Sequence, residues 1–437
     1  MDTTNRSCVL YGPGKVKFEN RPAPVVRDPR DVVVRIEYVG VCGSDVHFWV
    51  HGGVTRKVSD ESPIVMGHEA SGTVHSIGSQ VSSVKVGDRV AIEPGIPCRR
   101  CKRCKMGKYN LCPDMRFAAD PPLTDGTLCH LFRVPEDFLY KVPDSISLQE
   151  AVLVEPLSVA VHGVRLADVR AGQTVLVQGS GTIRLLVAAV AKSFGAKSIF
   201  IADINKTKLD FASSFLGCMT FLISGSASPA EEADRFKTAA ELDDGVDVVL
   251  ECTGVESSAQ TGIYASAAGG IFVQVGMGKP NQSLPLGAMC EKETVVKTSF
   301  RYGPGDYELA LELLGSGKVS VRAMISSITA FESASDAWEK TRKGEGIKNL
   351  IRGVQAFCVG LGVWVFFLVP ETKGVLLEEM DKLFGGNQGT KDMEVICEIR
   401  SQLGLFNESE GKPRNTKDID VSQIERLWPS GVGGLKY

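Results

Sequence analysis

No surplus of positive charge runs through this chain of 437 residues: 49 Lys and Arg stand against 52 Asp and Glu, for a net charge of −3. Without a global basic field the chain lacks the electrostatic footprint of a nucleic-acid binder, and no nucleic-acid partner is expected. Its start, MDTTNRSCVL, carries no apolar leader, and no internal repeat or low-complexity tract is evident. The twelve cysteines therefore read as thiols of a reducing compartment rather than a disulfide frame, and a cytoplasmic location is the expectation. What the chain does have is length for roughly two or three domains. It also has 46 glycines, many punctuating short apolar segments, which points to an α/β protein with tight strand-to-helix turns rather than a helical bundle.

Four of the cysteines, Cys98, Cys101, Cys104 and Cys112, are spaced C-x2-C-x2-C-x7-C. Gaps this short let four sulfurs approach one ion at about 2.3 Å each without straining the backbone, as a tetrahedral zinc cage requires. The intervening Arg99, Arg100, Lys102, Arg103 and Lys105 offset the negative charge of four thiolates around one zinc. A disulfide pair and an iron–sulfur cluster are the other uses of such a run. The missing leader and the absence of a further local ligand cluster favour zinc over both.

Residues 1–157 are rich in β-like runs (31–37, 71–77, 88–92 and 131–134) separated by Gly, Pro and Asp turns, which suggests a small, partly open β-barrel carrying the cysteine lobe as an excursion. From Thr174 the texture changes. TVLVQ (174–178), a helix over 182–194, SIFIAD (198–203), a helix over 206–216, VDVVLEC (246–252), a helix near 257–267 and IFVQVG (271–276) alternate as βα units of a parallel sheet buried on both faces. Residues 300–352 are mixed, with an amphipathic helix at about 305–315, and 353–370 carries no charge.

Within the first βα unit, Gly179-Ser180-Gly181 forms the strand-to-helix turn and Asp203 closes the next strand. That order sets a pyrophosphate at a helix N-terminus and ribose hydroxyls against a carboxylate, as in dinucleotide binding, and Asp203 favours NAD over NADP by repelling a 2′-phosphate. A second group is spread along the first domain: Cys42-Gly43-Ser44-Asp45 with His47, Gly67-His68-Glu69, and Val154-Glu155-Pro156. Singly, each has an ordinary structural reading. Together they supply a thiolate, an imidazole and two carboxylates, the ligand mixture of a catalytic zinc with an open position. Such a metal lets an alcohol lose its proton near neutral pH, and a neighbouring NAD accepts hydride from the carbon.

On GVCGSDVHFW (40–49), GHEASG (67–72), VGDRVAIEPGIPCRRCKRCKMGKYNLCPDM (86–115), LVEPLSVAVHG (153–163) and SFRYGPGDY (299–307), the chain resembles the zinc-dependent medium-chain alcohol dehydrogenases of the sorbitol and xylitol (polyol) group over about residues 8–352. The resemblance implies a GroES-like catalytic domain over 1–157, completed by 300–352, and a Rossmann domain over 158–299. It implies two zinc ions per chain: a catalytic one on Cys42, His68 and Glu69, with Glu155 at or one water from it, and a structural one on Cys98, Cys101, Cys104 and Cys112. Ser44 and then His47 would relay the alcohol proton. Phe48, Glu155, Arg301 and Tyr302 would meet the polyol, such as xylitol, sorbitol or arabinitol, which NAD would oxidise to the ketose. Gly179, Gly181, Ile183, Asp203, Lys208, Val275 and Gly276 would hold NAD, and a homo-oligomer is implied.

The chain departs from this pattern in three places. The family turn G-x-G-P-V/I-G reads here Gly179-Ser180-Gly181-Thr182-Ile183-Arg184. Arginine in place of the third glycine either overpacks the helix–strand contact, at about 1–3 kcal/mol, and weakens cofactor binding, or turns outward or toward the pyrophosphate. Phe48 stands where tyrosine is common and Asp120 where threonine is usual, which leaves the preferred polyol open. Third, FFLVPETKGVLLEEMDKLF (366–384) resembles the end of the last membrane helix and the following motif of major-facilitator sugar transporters. One marginal apolar segment cannot form a transport path. A fused gene or gene-model artefact is the leading expectation for the 353–437 tail, with packing on the enzyme or a membrane tether through 353–370 as the alternatives; a vestigial or binding-only fusion product with impaired NAD binding at Arg184 is the rival to an active enzyme.

Overall fold

The computed structural model describes residues 4–53, 57–120 and 124–354. The chain divides into compact units Met1–Gln355 and Ala356–Tyr437, and the second lies outside the described residues, together with the expectations that fall on the tail. No helix among the described residues is long and apolar enough to cross a membrane.

The first sheet is built around the strand Asp31–Gly40, whose run DVVVRIEYVG is buried at most positions. Such a strand belongs in a sheet interior, and it pairs antiparallel with Glu69–Ile77 on one side and with Leu131–Pro135 and Lys348–Arg352 on the other. Leu139–Lys141 and Ile325–Thr329 are the outer strands and do not pair with each other, so the sheet stays open. Its core gathers Val32, Val34, Ile36 and Val39 against Phe331 and Trp338. The register places Gly40 opposite both Glu69 and Leu350. The C-terminal end of this one strand is therefore where residues from three distant segments meet.

The second sheet is fully parallel, in the order Met219–Leu222, Ser198–Asp203, Thr174–Gln178, Val246–Glu251, Ser266–Gln274 and Val295–Thr298. Alternate residues face two cores. Val175, Val177, Val248 and Leu250 pack under the helices Val154–Leu166 and Thr182–Ser193, while Leu176, Val249 and Phe272 pack on Phe236 and Ile263 of the opposite face. Burial on both faces explains the uninterrupted apolar strands. The order reverses between Thr174–Gln178 and Val246–Glu251, the switch point at which such sheets open a crevice beyond their C-terminal ends.

Two expected boundaries shift here. The helix expected to reach residue 267 ends at Ala265, and the strand expected from 271 begins at Ser266. Ser266 pairs with Val246, and an irregularity in register then carries the chain through the glycine pair Gly269-Gly270. Tertiary pairing overrides a segment, SAAGG, with little strand propensity of its own.

Candidate metal centres and cofactor turn

Ligand atoms of Cys42, His68 and Glu69 lie within 4.8 Å of one another. Cys42 is the N-cap of the helix Gly43–His51, with extended backbone, and its N–H donates to Asp45 Oδ2 at 2.9 Å. Gly67, at φ +86°, makes the turn that delivers His68 and Glu69 to the sheet end. Gly40 faces Glu69 so closely that a Cβ there would sit 2.1 Å from Glu69 Oε2. Glu69 forms a hydrogen-bonded ion pair with Lys348 Nζ, both side chains being 2% exposed, and Lys348 also donates to the Val41 carbonyl at 3.1 Å. His68 Nδ1 stands 3.5 Å from Asp45 Oδ1. Burial alone would lower the imidazole pKa, but the Asp45 carboxylate and Cys42 outweigh it and hold it well above its usual value. A thiol, an imidazole and a carboxylate converging in a buried corner fit the donor set of a zinc site that keeps a position open.

Glu155, at the start of the helix Val154–Leu166, is buried and lies outside that tight group. Burial pushes its carboxyl up to about 7, against the pull of nearby His68. Arg301 adopts a positive φ of 54° and lays its guanidinium 3.8 Å from the centre of the Phe117 ring. Phe117 also stands 5.7 Å from the His68 ring, so Arg301 and the metal-ligand group flank one aromatic. Tyr302 is buried, and its hydroxyl lies close enough to the Glu155 carboxyl to favour that group's charged form. On the helix Gly43–His51, Ser44 and His47 are exposed, while Phe48 is half-buried against the core of the first sheet.

The cysteine lobe brings its four sulfurs within 4.8 Å of one another. Cys101 Sγ lies 3.5 Å from Cys104 Sγ and 3.9 Å from Cys112 Sγ, and Cys98 Sγ lies 4.0 Å from Cys104 Sγ. A tetrahedron with metal–sulfur bonds of about 2.3 Å has edges of about 3.8 Å, whereas a disulfide needs about 2.05 Å. The spacing suits a cage and excludes a bond. Backbone N–H groups of Cys98, Cys101 and Cys104 point at neighbouring sulfurs at 3.3–3.4 Å. The lobe is anchored by Tyr109, whose hydroxyl donates to Glu93 at 2.7 Å, and by Asn110, whose amide donates to the Phe300 carbonyl at 2.9 Å. That second bond braces the segment bearing Arg301.

At the nucleotide turn, Gly179 has φ +97° and its N–H donates to the Ala202 carbonyl at 2.6 Å. Asp203 accepts from the N–H groups of Ser180 (2.7 Å) and Asn205 (2.8 Å), which fixes the carboxylate at the strand end. A cavity of about 440 Å³ opens there, lined among others by Gly179, Gly181, Arg184, Asp203, Lys208 and Thr253. Ile183, Val275 and Gly276 are not among its lining residues: Val275 packs toward Gly163, and Gly276 lies against the backbone of Cys252–Gly254. Thr182, in the place of the family's proline, donates its hydroxyl to the Ile347 carbonyl at 2.5 Å, one residue from Lys348. The sequence reading missed Lys348, Asn110 and this threonine contact. Lys348 opens the strand Lys348–Arg352 (KNLIR), a polar start to a segment that is buried up to Ile351.

A dinucleotide-type crevice and a Cys–His–Glu group with buried His68 and Glu69, together with a separate four-thiol cage, define a zinc-dependent nicotinamide dehydrogenase. The alcohol dehydrogenase GroES-like domain matches residues 28–144, and the zinc-binding dehydrogenase domain matches residues 183–316. The chain belongs to the zinc-dependent medium-chain alcohol dehydrogenase family. Its relatives include the D-xylulose reductase A of Aspergillus niger, 50% identical over 352 residues, covering 80% of this chain and 98% of that protein. The probable D-xylulose reductase A of Emericella nidulans is 52% identical over 350 residues, covering 80% and 96%. Among solved structures, L-idonate 5-dehydrogenase from Escherichia coli superposes with a TM-score of 0.73 at 28% identity, covering 80% of this chain and 99% of that one. An Escherichia coli oxidoreductase of unknown specificity gives 0.75 at 34%, covering 80% and 100%. Within the family, this kinship places the chain among the polyol dehydrogenases.

Proposed function

We propose that this protein oxidises a polyol of the xylitol, sorbitol or arabinitol type to the ketose, with NAD as hydride acceptor and two zinc ions per chain. The division of labour is a catalytic domain over 1–157 and 300–352 and a nucleotide domain over 158–299. The observation that carries the reading is the convergence of half-buried Cys42 with buried His68 and Glu69 within 4.8 Å, in a chain that also holds the nucleotide turn.

A zinc ion held by Cys42, His68 and Glu69 would supply the Lewis acidity that lets a secondary alcohol lose its proton near neutral pH. The chain's own groups do the rest. Ser44 and His47, both exposed on one helix, carry the released proton to solvent. Glu155, with a carboxyl raised to about 7 by burial, is able to hold a proton near working pH. Arg301, steadied over Phe117, presents donors to polyol hydroxyls, and Tyr302 offers a buried hydroxyl close to Glu155. NAD held at the Gly179–Gly181 turn would supply the hydride acceptor, so that polyol and NAD⁺ would give ketose, NADH and a proton. Asp203, held by two backbone N–H groups, faces the ribose hydroxyls and disfavours a 2′-phosphate, which supports NAD over NADP. Val295 and Val296, exposed on an edge strand, support pairing with a second copy.

The test is an NAD-linked assay of purified full-length protein with its zinc content measured. Polyol-dependent NADH formation is expected, abolished by a chelator and restored by zinc, at near two zinc ions per chain. Zinc-loaded protein that turns over none of a panel of polyols would sink the reading.

A further inference from the structure

The departure at position 184 is visible in the cofactor turn. The Arg184 side chain lies along the turn, over its two glycines: a Cβ built on Gly179 would meet Arg184 Nε at 2.9 Å and Cγ at 3.0 Å, and one on Gly181 would meet Nη1 at 2.9 Å. In a turn of this kind the first glycine allows the tight bend and the second lets the backbone approach a pyrophosphate. The helix behind the turn remains packed, with Leu185, Leu186 and Val187 fully buried, so the arginine stem has not cost it that contact.

Three further observations indicate what the guanidinium lacks. Among the described residues, the buried Arg184 Nε has no hydrogen-bond partner, and neither has the fully buried hydroxyl of Ser180 in the same turn. The carboxylates that line the cavity are engaged elsewhere: Asp203 with backbone N–H groups, and Glu232 with Ser224 and Arg235. Gly181, the N-cap of the helix Thr182–Ser193, contributes no capping side chain, so the first N–H groups of that helix also want an acceptor. A cation and a positive helix end side by side repel each other, and an anion between them relieves both.

We propose that Arg184 is a cofactor-binding residue of this chain, its guanidinium pairing with the pyrophosphate of the dinucleotide at the Gly179–Gly181 turn. The inference rests on the nicotinamide-cofactor reading above and deepens it. Arginine matches phosphate oxygens with a planar fork of donors, and such charge-assisted bonds are the strong ones. The guanidinium gives up its place over the glycines and closes on the phosphate oxygens. The turn thereby replaces the packing glycine at its third position with a side chain that pairs directly with the anion.

The experiment measures equilibrium binding of ADP-ribose and of adenosine to zinc-loaded full-length protein by calorimetry, at low and high salt, for wild type, Arg184→Gly and Arg184→Lys. Arg184→Gly restores the residue usual in the family, so folding is not at risk. The expected result is ADP-ribose affinity at least about 10-fold weaker in Arg184→Gly, a shallower salt dependence, unchanged adenosine affinity and partial retention in Arg184→Lys. Equal or tighter ADP-ribose binding by Arg184→Gly would overturn the proposal and make the arginine an obstruction. Equal losses for ADP-ribose and adenosine would overturn it too, since the phosphates would then not be what Arg184 senses. If neither wild type nor Arg184→Gly binds ADP-ribose, the dinucleotide reading falls, and the proposal with it.

Discussion

The two thiol-bearing centres are built on opposite plans. The cysteine lobe draws its four ligands from fifteen consecutive residues, Cys98 to Cys112, and its sulfurs make mostly one another's company. The Cys42–His68–Glu69 group draws on an N-cap, a turn and a strand end, and a cation from far along the chain, Lys348, holds its carboxylate. A cage closed on itself leaves no room for substrate. A corner with three ligand atoms, a nearby Glu155 and Arg301 across a shared aromatic leaves a face free for chemistry. The contrast teaches that the number of ligands counts for less than how locally they are recruited: the local set holds a loop, and the dispersed set reports whether the whole fold has assembled.

The sharpest test of that division is to remove one ligand from each. Cys42→Ser is expected to lower kcat/KM at least about 100-fold and to bring zinc from near two ions per chain to near one, with the melting temperature little changed. Melting that collapses alongside activity would show the dispersed site to be structural as well. Cys104→Ser should do the reverse, lowering Tm by about 5 °C or more while the protein that remains folded keeps most of its turnover per catalytic zinc. Next in size comes Lys348→Met, which strands the Glu69 carboxylate in a site where both partners are 2% exposed. Leaving one buried charge uncompensated costs about 3–5 kcal/mol. Urea denaturation of the metal-free protein should register most of that loss, and zinc-loaded protein less, because the ion replaces the missing cation. Equal losses with and without zinc would mean that Glu69 does not exchange one for the other.

The smallest effect concerns the anchor of the lobe. Burial raises the Glu93 carboxyl from 4.5 to about 7, against the opposing bonds from Tyr109 and Tyr140. Because the folded-state value lies above the unfolded one, the native state favours the proton. Stability should therefore decline as pH rises from about 4.5 to about 7 and level off beyond. Glu93→Gln should flatten that slope in pH-dependent denaturation, and an unchanged slope would place its origin elsewhere.

Much of the scaffold was legible because burial on two faces writes itself into sequence. The strands Thr174–Gln178 and Ser198–Asp203 and the helix Lys206–Leu216 fall where the apolar runs predict them. The outer strands Met219–Leu222 and Val295–Thr298 went unread, since both are largely exposed and carry no two-sided apolar signature. The helix Pro229–Ala239 was missed although Ser228 and Glu231 form a capping box at its start, a signal within reach. At the site, Cys42, His68 and Glu69 stood in recognisable local motifs. Lys348 lies 279 residues from Glu69, and Asn110 lies 190 from Phe300, so nothing short of the folded chain pairs them. The effect of Arg184 was legible only as an alternative, because a long side chain chooses its direction from its surroundings.

Gly40 carries a consequence for reading natural variation. It ligates nothing and has no side chain, yet a single methyl group there would fall 2.1 Å from a Glu69 oxygen, well inside contact distance. A screen for inactive alleles that follows only donor atoms would score an alanine at this position as benign. By the crowding at that strand end, it would rank among the silent vetoes on the whole centre, a position where heredity has to preserve an empty space.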